Sequence, residues 1–375
     1  MKTYYFDNSA TSSPKPEAVY SSVGIAVREY SANPGRAGHR KALEVARKIY
    51  EVREKIANFF GVRNSLNVAF TANATESLNF AIKGAIPEGA HVVTTNFEHN
   101  SVLRPLYYMR DEKDIKLTFI NTYLDLEKAI TPETKAVVMN HISNVNGTIQ
   151  KIKEVGDICK KNGILFILDA SQSAGYIDIN MERDNIDILC LTGHKSLFGI
   201  QGIGVIALRE GIKIEPILEG GTGSFSKLQR QPKEMPEMLE AGTLNTPGII
   251  SLGAGVDFIQ EIGIENIKKH EDGLVLKFLE GLERLEKVKV YKSFTENQAP
   301  VISINMDGVD SGDLSSILDE EFGILVRPGY HCAPLAHEAI GTYETGTVRF
   351  SFGFFNTEDE VDYLLQTLKN IALQI

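Results

Sequence analysis

In the stretch "DILCLTGHKSLFGIQGIGVIAL", residues 187–208, a single lysine, Lys195, sits between two apolar runs, after His194 and before several glycines. An amine whose stem is buried at a strand end loses hydration, and its pKa falls toward nucleophilic competence. Comparable polar groups follow other apolar runs. "VAFT" leads into "ANATESLNF", where Asn73 and Glu76 have the spacing of a capping box and Ala74 and Thr75 open a helix. A helix start offers unpaired N–H groups and a positive dipole end to a phosphate. "HVVTT" leads into "NFEHNS" with His99, "AVVMNHI" into "SNVNG" with Asn144, and "ILFIL" into "DASQS" with Asp169 and Gln172. The set amounts to an amine, a carboxylate, an imidazole and a phosphate cradle.

Each piece alone has a plainer reading: Thr75 and Glu76 as an ordinary helix cap, His99 as a loop histidine, Asp169 as a turn residue, Lys195 as a solvated lysine. Their recurrence at successive strand ends favours one shared ligand. Pyridoxal phosphate uses all four groups. An aspartate near the pyridine nitrogen keeps it protonated, an imidazole stacks on the ring, and a lysine forms the Schiff base. Thr192 and His194, on either side of the lysine, are then candidate phosphate donors.

The elements that must position these residues are legible in the pattern. After a first strand-like segment, "TYYFDNSAT", the Gly/Pro loop "SANPGRAGHR" leads into "KALEVARKIYEVREKIANFFG". There Leu43, Ala46, Tyr50, Ile56 and Phe60 approach helical spacing and Gly61 marks a stop. Short, continuously apolar strands then alternate with amphipathic helices, which implies a mostly parallel sheet covered on both faces, with ligands beyond the carboxyl ends of its strands. Residues 211–248, rich in Gly, Pro and polar side chains, read as a long functional loop. The expected architecture is an α/β large domain over residues 1–250, its N-terminal segment packing on a smaller α/β domain over residues 251–375. No internal repeat or low-complexity tract interrupts it.

Composition excludes several classes. With 375 residues, 43% of them hydrophobic, the chain can bury a large core. A formal charge of −10 and the lack of any basic run argue against nucleic acid as a partner. No run is long and apolar enough to span a bilayer and no secretory h-region is visible, so the expectation is a cytoplasmic protein without a membrane partner. Cys159, Cys190 and Cys332 form no CxxC pair, so no metal site and no disulfide is expected. Cys159 and Cys190 fall in apolar contexts as small buried hydrophobes, whereas Cys332 lies in a Gly/Pro loop beside His331.

The ordered motifs "YFDNSAT", "TANATESLN", "EHNS", "SNVNG", "LDASQS", "TGHKSLFGIQGIG", "EGGTG", "EAGTLNT", "RPGYHCAP" and "VRFSFGFFNTEDEVD" span roughly residues 4–370. As a set they resemble the class V (aminotransferase fold) pyridoxal-phosphate enzymes, and within them the cysteine desulfurases of the group II, SUF-type branch. The resemblance implies the fold type I, three-layer large domain, with Lys195 as Schiff-base lysine, Asp169 at the pyridine nitrogen and Gln172 near the phenolic oxygen. It implies His99 stacked on the ring and able to transfer protons, phosphate contacts at Ala74, Thr75, Thr192 and His194, and a substrate and cofactor contact at Asn144. In the family the neighbouring subunit of a homodimer completes the phosphate pocket through the segment matching "GGTG", with Thr222 the candidate. Arg349 matches the arginine that grips the substrate carboxylate, a role suited to its fork of donors. Without that match it reads as a solvated charge at a strand edge. Arg327 is a weaker candidate for a site contact.

Under the same resemblance Cys332 is the catalytic thiol, which takes sulfur from L-cysteine as a persulfide, leaves L-alanine, and passes the sulfur to an acceptor protein. Two features depart from the family pattern: Tyr330 stands where a second histidine is usual, and Ala74 where many relatives carry a hydroxyl. Selenocysteine lyase, with L-selenocysteine as substrate, and another class V aminotransferase or epimerase are the enzymatic alternatives. A non-catalytic protein that binds sulfur-carriers is the alternative from a different class.

Overall fold

The computed structural model describes residues 2–35 and 38–374. Its strands are β1 (Tyr4–Tyr5), β2 (Val68–Thr71), β3 (His91–Thr95), β4 (Lys116–Ile120), β5 (Thr134–Asn140), β6 (Leu165–Asp169), β7 (Ile188–Thr192), β8 (Gly204–Leu208), β9 (Val288–Tyr291), β10 (Val301–Met306), β11 (Ile324–Leu325), β12 (Arg327–Gly329) and β13 (Thr347–Ser351). Among the described residues, seven form a large sheet in the order β2-β8-β7-β6-β5-β3-β4, and four form a small sheet in the order β12-β13-β10-β9. All pairings in the large sheet are parallel except those of β8 with β2 and β7. Strands β2, β3, β5, β7 and β8 are almost wholly buried, as continuous apolar runs in a sheet covered on both faces must be.

The register brings one edge of this sheet into line. Asn140 at the end of β5 pairs with Asp169 at the end of β6. Thr192 at the end of β7 and Thr71 at the end of β2 both pair with Gly204, where antiparallel β8 begins. A side chain at Gly204 would meet the Asn73 backbone at 2.5 Å, so glycine lets the chain entering the helix Ala74–Ala85 press against the strand.

The helix Arg40–Phe59 forms where its pattern predicts, and Ile56 and Phe60 of the expected stripe are buried, but its first turns present a different face inward. Ala42, Val45, Ile49, Val52 and Ile56 are buried, while Leu43 and Tyr50 are exposed. The inward stripe follows the more continuous i, i+3, i+4 series of small and β-branched residues, which lets the helix sit close to the sheet. The loop before it is described apart from Arg36 and Ala37. The stretch between β8 and the helix Thr246–Ile262 carries no strand or helix, and Glu240 ties it down. Its carboxylate accepts from both terminal nitrogens of buried Arg53 at 2.7 and 3.0 Å and from the Phe70 amide at 2.7 Å.

The division expected near residue 250 falls inside the helix Thr246–Ile262, and Leu252, Val256, Ile259 and Ile267 belong to the core of the large sheet. The core of the small sheet starts at Leu274 and includes Phe6. The core changes between Ile267 and Leu274, within the next helix, Ile264–Leu282, which leaves no composition shift for a sequence to display. The N-terminal strand β1 pairs in parallel with β11 beside the small sheet. No helix among the described residues is long and apolar enough to cross a membrane.

Candidate active site

A cavity of about 240 Å³ opens at the aligned strand ends. Lys195, Asp169, Gln172 and His99 line it, as do Ala74, Thr75, Thr192 and His194. Arg327 and Arg349 face it from the small sheet, with Asn144 between the two sides. Thr222 is elsewhere in this chain: it lines a separate cavity with Tyr50 and Arg53, and its hydroxyl donates to the Ser224 carbonyl at 2.9 Å. Cys332 lies beside the first cavity, in the wall of an adjoining one that also contains His99.

The helix Ala74–Ala85 begins at the end of β2 with a capping box. Asn73 Oδ1 accepts from the Glu76 amide at 3.0 Å, and the Glu76 carboxylate reaches back to the Ala72 amide at 2.5 Å. The Ala74 and Thr75 amides lie in the first turn, where an α-helix has no carbonyl to offer them, and both residues line the cavity, so these donors suit an anionic group there. The Thr75 hydroxyl is 2.9 Å from that of Ser101.

His99 caps the next helix, Asn100–Lys113, with its ring: Nδ1 accepts from the Ser101 amide at 3.0 Å. With that lone pair engaged, the ring hydrogen of neutral His99 sits on Nε2. Burial first, then the charges of Lys195, Arg327, Arg349 and Arg104, lower its pKa to about 4, so the ring is neutral at ordinary pH. Burial also lowers Lys195 to about 8, against the opposing pull of Asp169. The Asp169 carboxyl is raised by burial, while two donations from Ser171, at 2.9 Å from the amide and 2.5 Å from the hydroxyl, and the nearby Lys195 favour its charged form. Gln172 is held by donation to the Ser9 carbonyl at 3.1 Å. On the lysine loop, the His194 carbonyl accepts from the Ser12 amide at 3.1 Å and from Lys15 Nζ and the Thr11 hydroxyl at 3.0 Å each.

The opposite wall carries fixed charge. Arg327 and Arg349 are register partners on β12 and β13, so both guanidinium groups stand on one face. Arg349 is entirely buried, which overturns the reading of a solvated strand-edge charge: β13 lies inside the small sheet, between β12 and β10. Its Nη2 donates to Asp7 Oδ1 at 2.6 Å and its Nη1 to the Asn144 carbonyl at 3.1 Å, while its Nε is buried without a partner. A buried guanidinium with spare donors at a cavity wall suits a carboxylate ligand.

The adjoining loop is tightly specified. His331 and Cys332 both take left-handed backbone conformations, with φ of 50° and 59°. Asn144 Nδ2 donates to the His331 carbonyl at 2.7 Å, and the Cys332 carbonyl accepts from the Asn100 amide at 2.7 Å. The buried His331 ring contacts the Arg327 carbonyl at 3.0 Å and His337 at 3.3 Å, and Tyr330 packs edge-on against His337. The Cys332 thiol itself is exposed and receives Arg327 Nη2 at 3.4 Å, whereas Cys159 and Cys190 are buried free thiols.

The model of the aminotransferase class-V family matches residues 4–364. The chain belongs to this family. It is 36% identical over 388 residues to a protein of Pyrococcus abyssi named probable cysteine desulfurase, covering 99% of this chain and 95% of the relative. A protein of the same name from Methanothermobacter thermautotrophicus is 32% identical over 385 residues, covering 99% and 96%. A solved cysteine desulfurase of Thermococcus onnurineus NA1 superposes with a TM-score of 0.92 at 35% identity, covering 100% of this chain and 95% of that one.

Within this class V site, sequence reasoning missed four contributors. Ser101 and Ser171 stand two residues after His99 and Asp169 and bond to them, a short-range signal visible in "HNS" and "DAS". Ser9 lines the cavity and Asp7 pairs with Arg349 across 342 positions of chain, which no local pattern reveals.

Proposed function

We propose that this class V chain is a pyridoxal-phosphate-dependent cysteine desulfurase of the group II branch, converting L-cysteine to L-alanine with a persulfide on Cys332. One observation carries the reading. A single cavity joins a desolvated lysine, a buried carboxyl, a neutral imidazole, a helix N-terminus and a buried arginine, and a free exposed thiol stands in the loop at its side. The donor set fits the cofactor: Lys195 would hold it covalently, Asp169 would face its ring nitrogen and Gln172 its phenolic oxygen. The Ala74 and Thr75 amides with Thr192 and His194 would take its phosphate, and His99 would cover the ring.

When bound, pyridoxal phosphate supplies a ring that accepts the electron pair left behind by the α proton. The rest of the work falls to the chain. Arg349 grips the substrate carboxylate, with Asn144 and Arg327 beside it. Lys195, with a pKa near 8, is basic enough to take the α proton and weak enough to return it. His99, neutral and carrying its hydrogen on Nε2, donates without adding charge. The Cys332 thiolate attacks the substrate sulfur; the carbon–sulfur bond breaks with its electron pair left on carbon, Cys332 keeps the sulfur and its hydrogen as a persulfide, and the carbon takes up a proton before the skeleton leaves as alanine. A homodimer, which would bring Thr222 of a second copy to the phosphate, a sulfur-acceptor protein and a cytoplasmic setting, where free thiols persist, belong to the same reading.

Alanine formed from L-cysteine, and separately from L-selenocysteine, by purified protein under reductant tests it, with Cys332→Ala beside wild type. Alanine from cysteine that vanishes in the variant is the expected result. Alanine from selenocysteine alone, surviving in the variant, assigns a selenocysteine lyase. Alanine from neither substrate, with no yellow colour after added cofactor, assigns a non-catalytic protein.

A further inference from the structure

Outward of Cys332 a second cavity, of about 380 Å³, lies along the helices Ala74–Ala85 and Asn100–Lys113. It shares Thr75, His99 and Ser101 with the first, so the thiol stands at a partition between two cavities of different character. The outer lining contains Lys83 and Arg104 and no carboxylate. Neither cation forms an ion pair among the described residues; the Tyr108 ring, 4.4 Å from Lys83 Nζ, supports the ammonium from one side. In a chain with 49 acidic and 39 basic residues, two unpaired cations converging on one cavity are a local reversal of charge. Like charges repel, and beyond the Tyr108 ring no carboxylate among the described residues of this chain pairs with either, so an anionic ligand is what they are arranged to meet. The substrate carboxylate already has Arg349. The volume falls within the roughly 300–1,000 Å³ of small-molecule sites.

Resting on the desulfurase reading for its chemistry, we propose that this outer cavity binds a small thiol bearing carboxylates, which removes the persulfide sulfur from Cys332. The acceptor thiolate attacks the outer sulfur of Cys332–S–SH. A sulfur–sulfur bond forms on the acceptor as the one to Cys332 breaks, the hydrogen stays on the transferred sulfur, and Cys332 leaves as thiolate. The products are R–S–SH and the free enzyme thiolate, with no other oxidant or reductant.

The test has two arms in the cofactor-loaded enzyme. In the first, the unmodified Cys332 thiol reacts with an anionic disulfide, dithiobis-nitrobenzoate, and with a cationic one, cystamine, each rate divided by that of the same reagent with a small free thiol. In the second, enzyme carrying the persulfide is mixed with mercaptosuccinate, mercaptoethanol or cysteamine at matched thiolate, each rate divided by that with a small free persulfide. Expected in both arms is a preference of about tenfold for the anionic reagent, falling with salt, lost in Lys83→Gln/Arg104→Gln and kept in Lys83→Arg/Arg104→Lys. Equal rates across charge, or the same preference in the Gln variant, overturns the proposal, as does transfer to a protein acceptor with no response to any small thiol. If the first arm shows the preference and no persulfide forms from L-cysteine, the anion site stands and the desulfurase reading falls.

Discussion

The two walls of the inner cavity handle charge in opposite ways. On the large-sheet wall burial drives ionisable groups toward neutrality: Lys195 is lowered to about 8, His99 to about 4, and the wholly buried Glu98 behind it is raised to about 8. On the small-sheet wall Arg349, equally buried, keeps its charge, because a guanidinium is too basic to yield it and Asp7 supplies a counter-ion. Groups near neutrality can move protons at ordinary pH, whereas a fixed charge can only hold. The contrast suits one wall to proton transfer and the other to anchoring an anion, as the proposed function requires.

The most direct way to break this comparison is Arg349→Lys. A lysine keeps the charge but not the fork, so the KM for L-cysteine rises about 100-fold, as expected for loss of a bidentate charge-assisted pair, with a smaller change in kcat. A KM within threefold of wild type would remove Arg349 as the anchor. The other wall is sharpened by pH. Below a pKa near 8 the free-amine fraction of Lys195 changes about tenfold per pH unit, so the rate at which apoprotein takes up added pyridoxal phosphate climbs with pH and levels off above 8. A rate that goes on climbing about tenfold per unit from pH 8 to 10 contradicts a desolvated lysine. The smallest effect concerns Glu98, whose carboxyl accepts from the Thr95 hydroxyl at 2.6 Å and the Asn140 amide at 2.9 Å while its other oxygen has no partner. Its pKa is raised on folding, so its contribution is fully present below the unfolded value and lost as pH rises through about 8. Glu98→Gln should therefore gain stability relative to wild type between pH 5 and 8, by roughly 1–3 kcal/mol, read from urea midpoints. A constant difference across that range means that Glu98 does not titrate.

Legibility in the sequence followed distance along the chain. The apolar runs and the polar residues that end them lie within a few positions of each other, so β5, β6 and β7, the capping box at Asn73 and the lysine loop could be read directly. The inward face of the helix Arg40–Phe59 could not, because its pattern admits two stripes and only the sheet beneath selects Val45, Ile49 and Val52 over Leu43 and Tyr50. Without the family resemblance Arg349 reads as a surface charge until β13 is seen between two other strands.

Taken alone, the sequence determined the class of fold and the order of the strand-end motifs and named candidates for the reactive groups, since periodicity, capping and residue type are local properties. Tertiary structure decided what those groups become. It paired Asp7 with Arg349, set Arg327 beside Arg349 in register, held the Cys332 loop by its carbonyls to Asn144 and Asn100, and opened a cationic cavity on the far side of the thiol. Each of these depends on segments far apart in the chain meeting in a desolvated space, where a neighbour's charge and the loss of water outweigh the intrinsic preference of any residue.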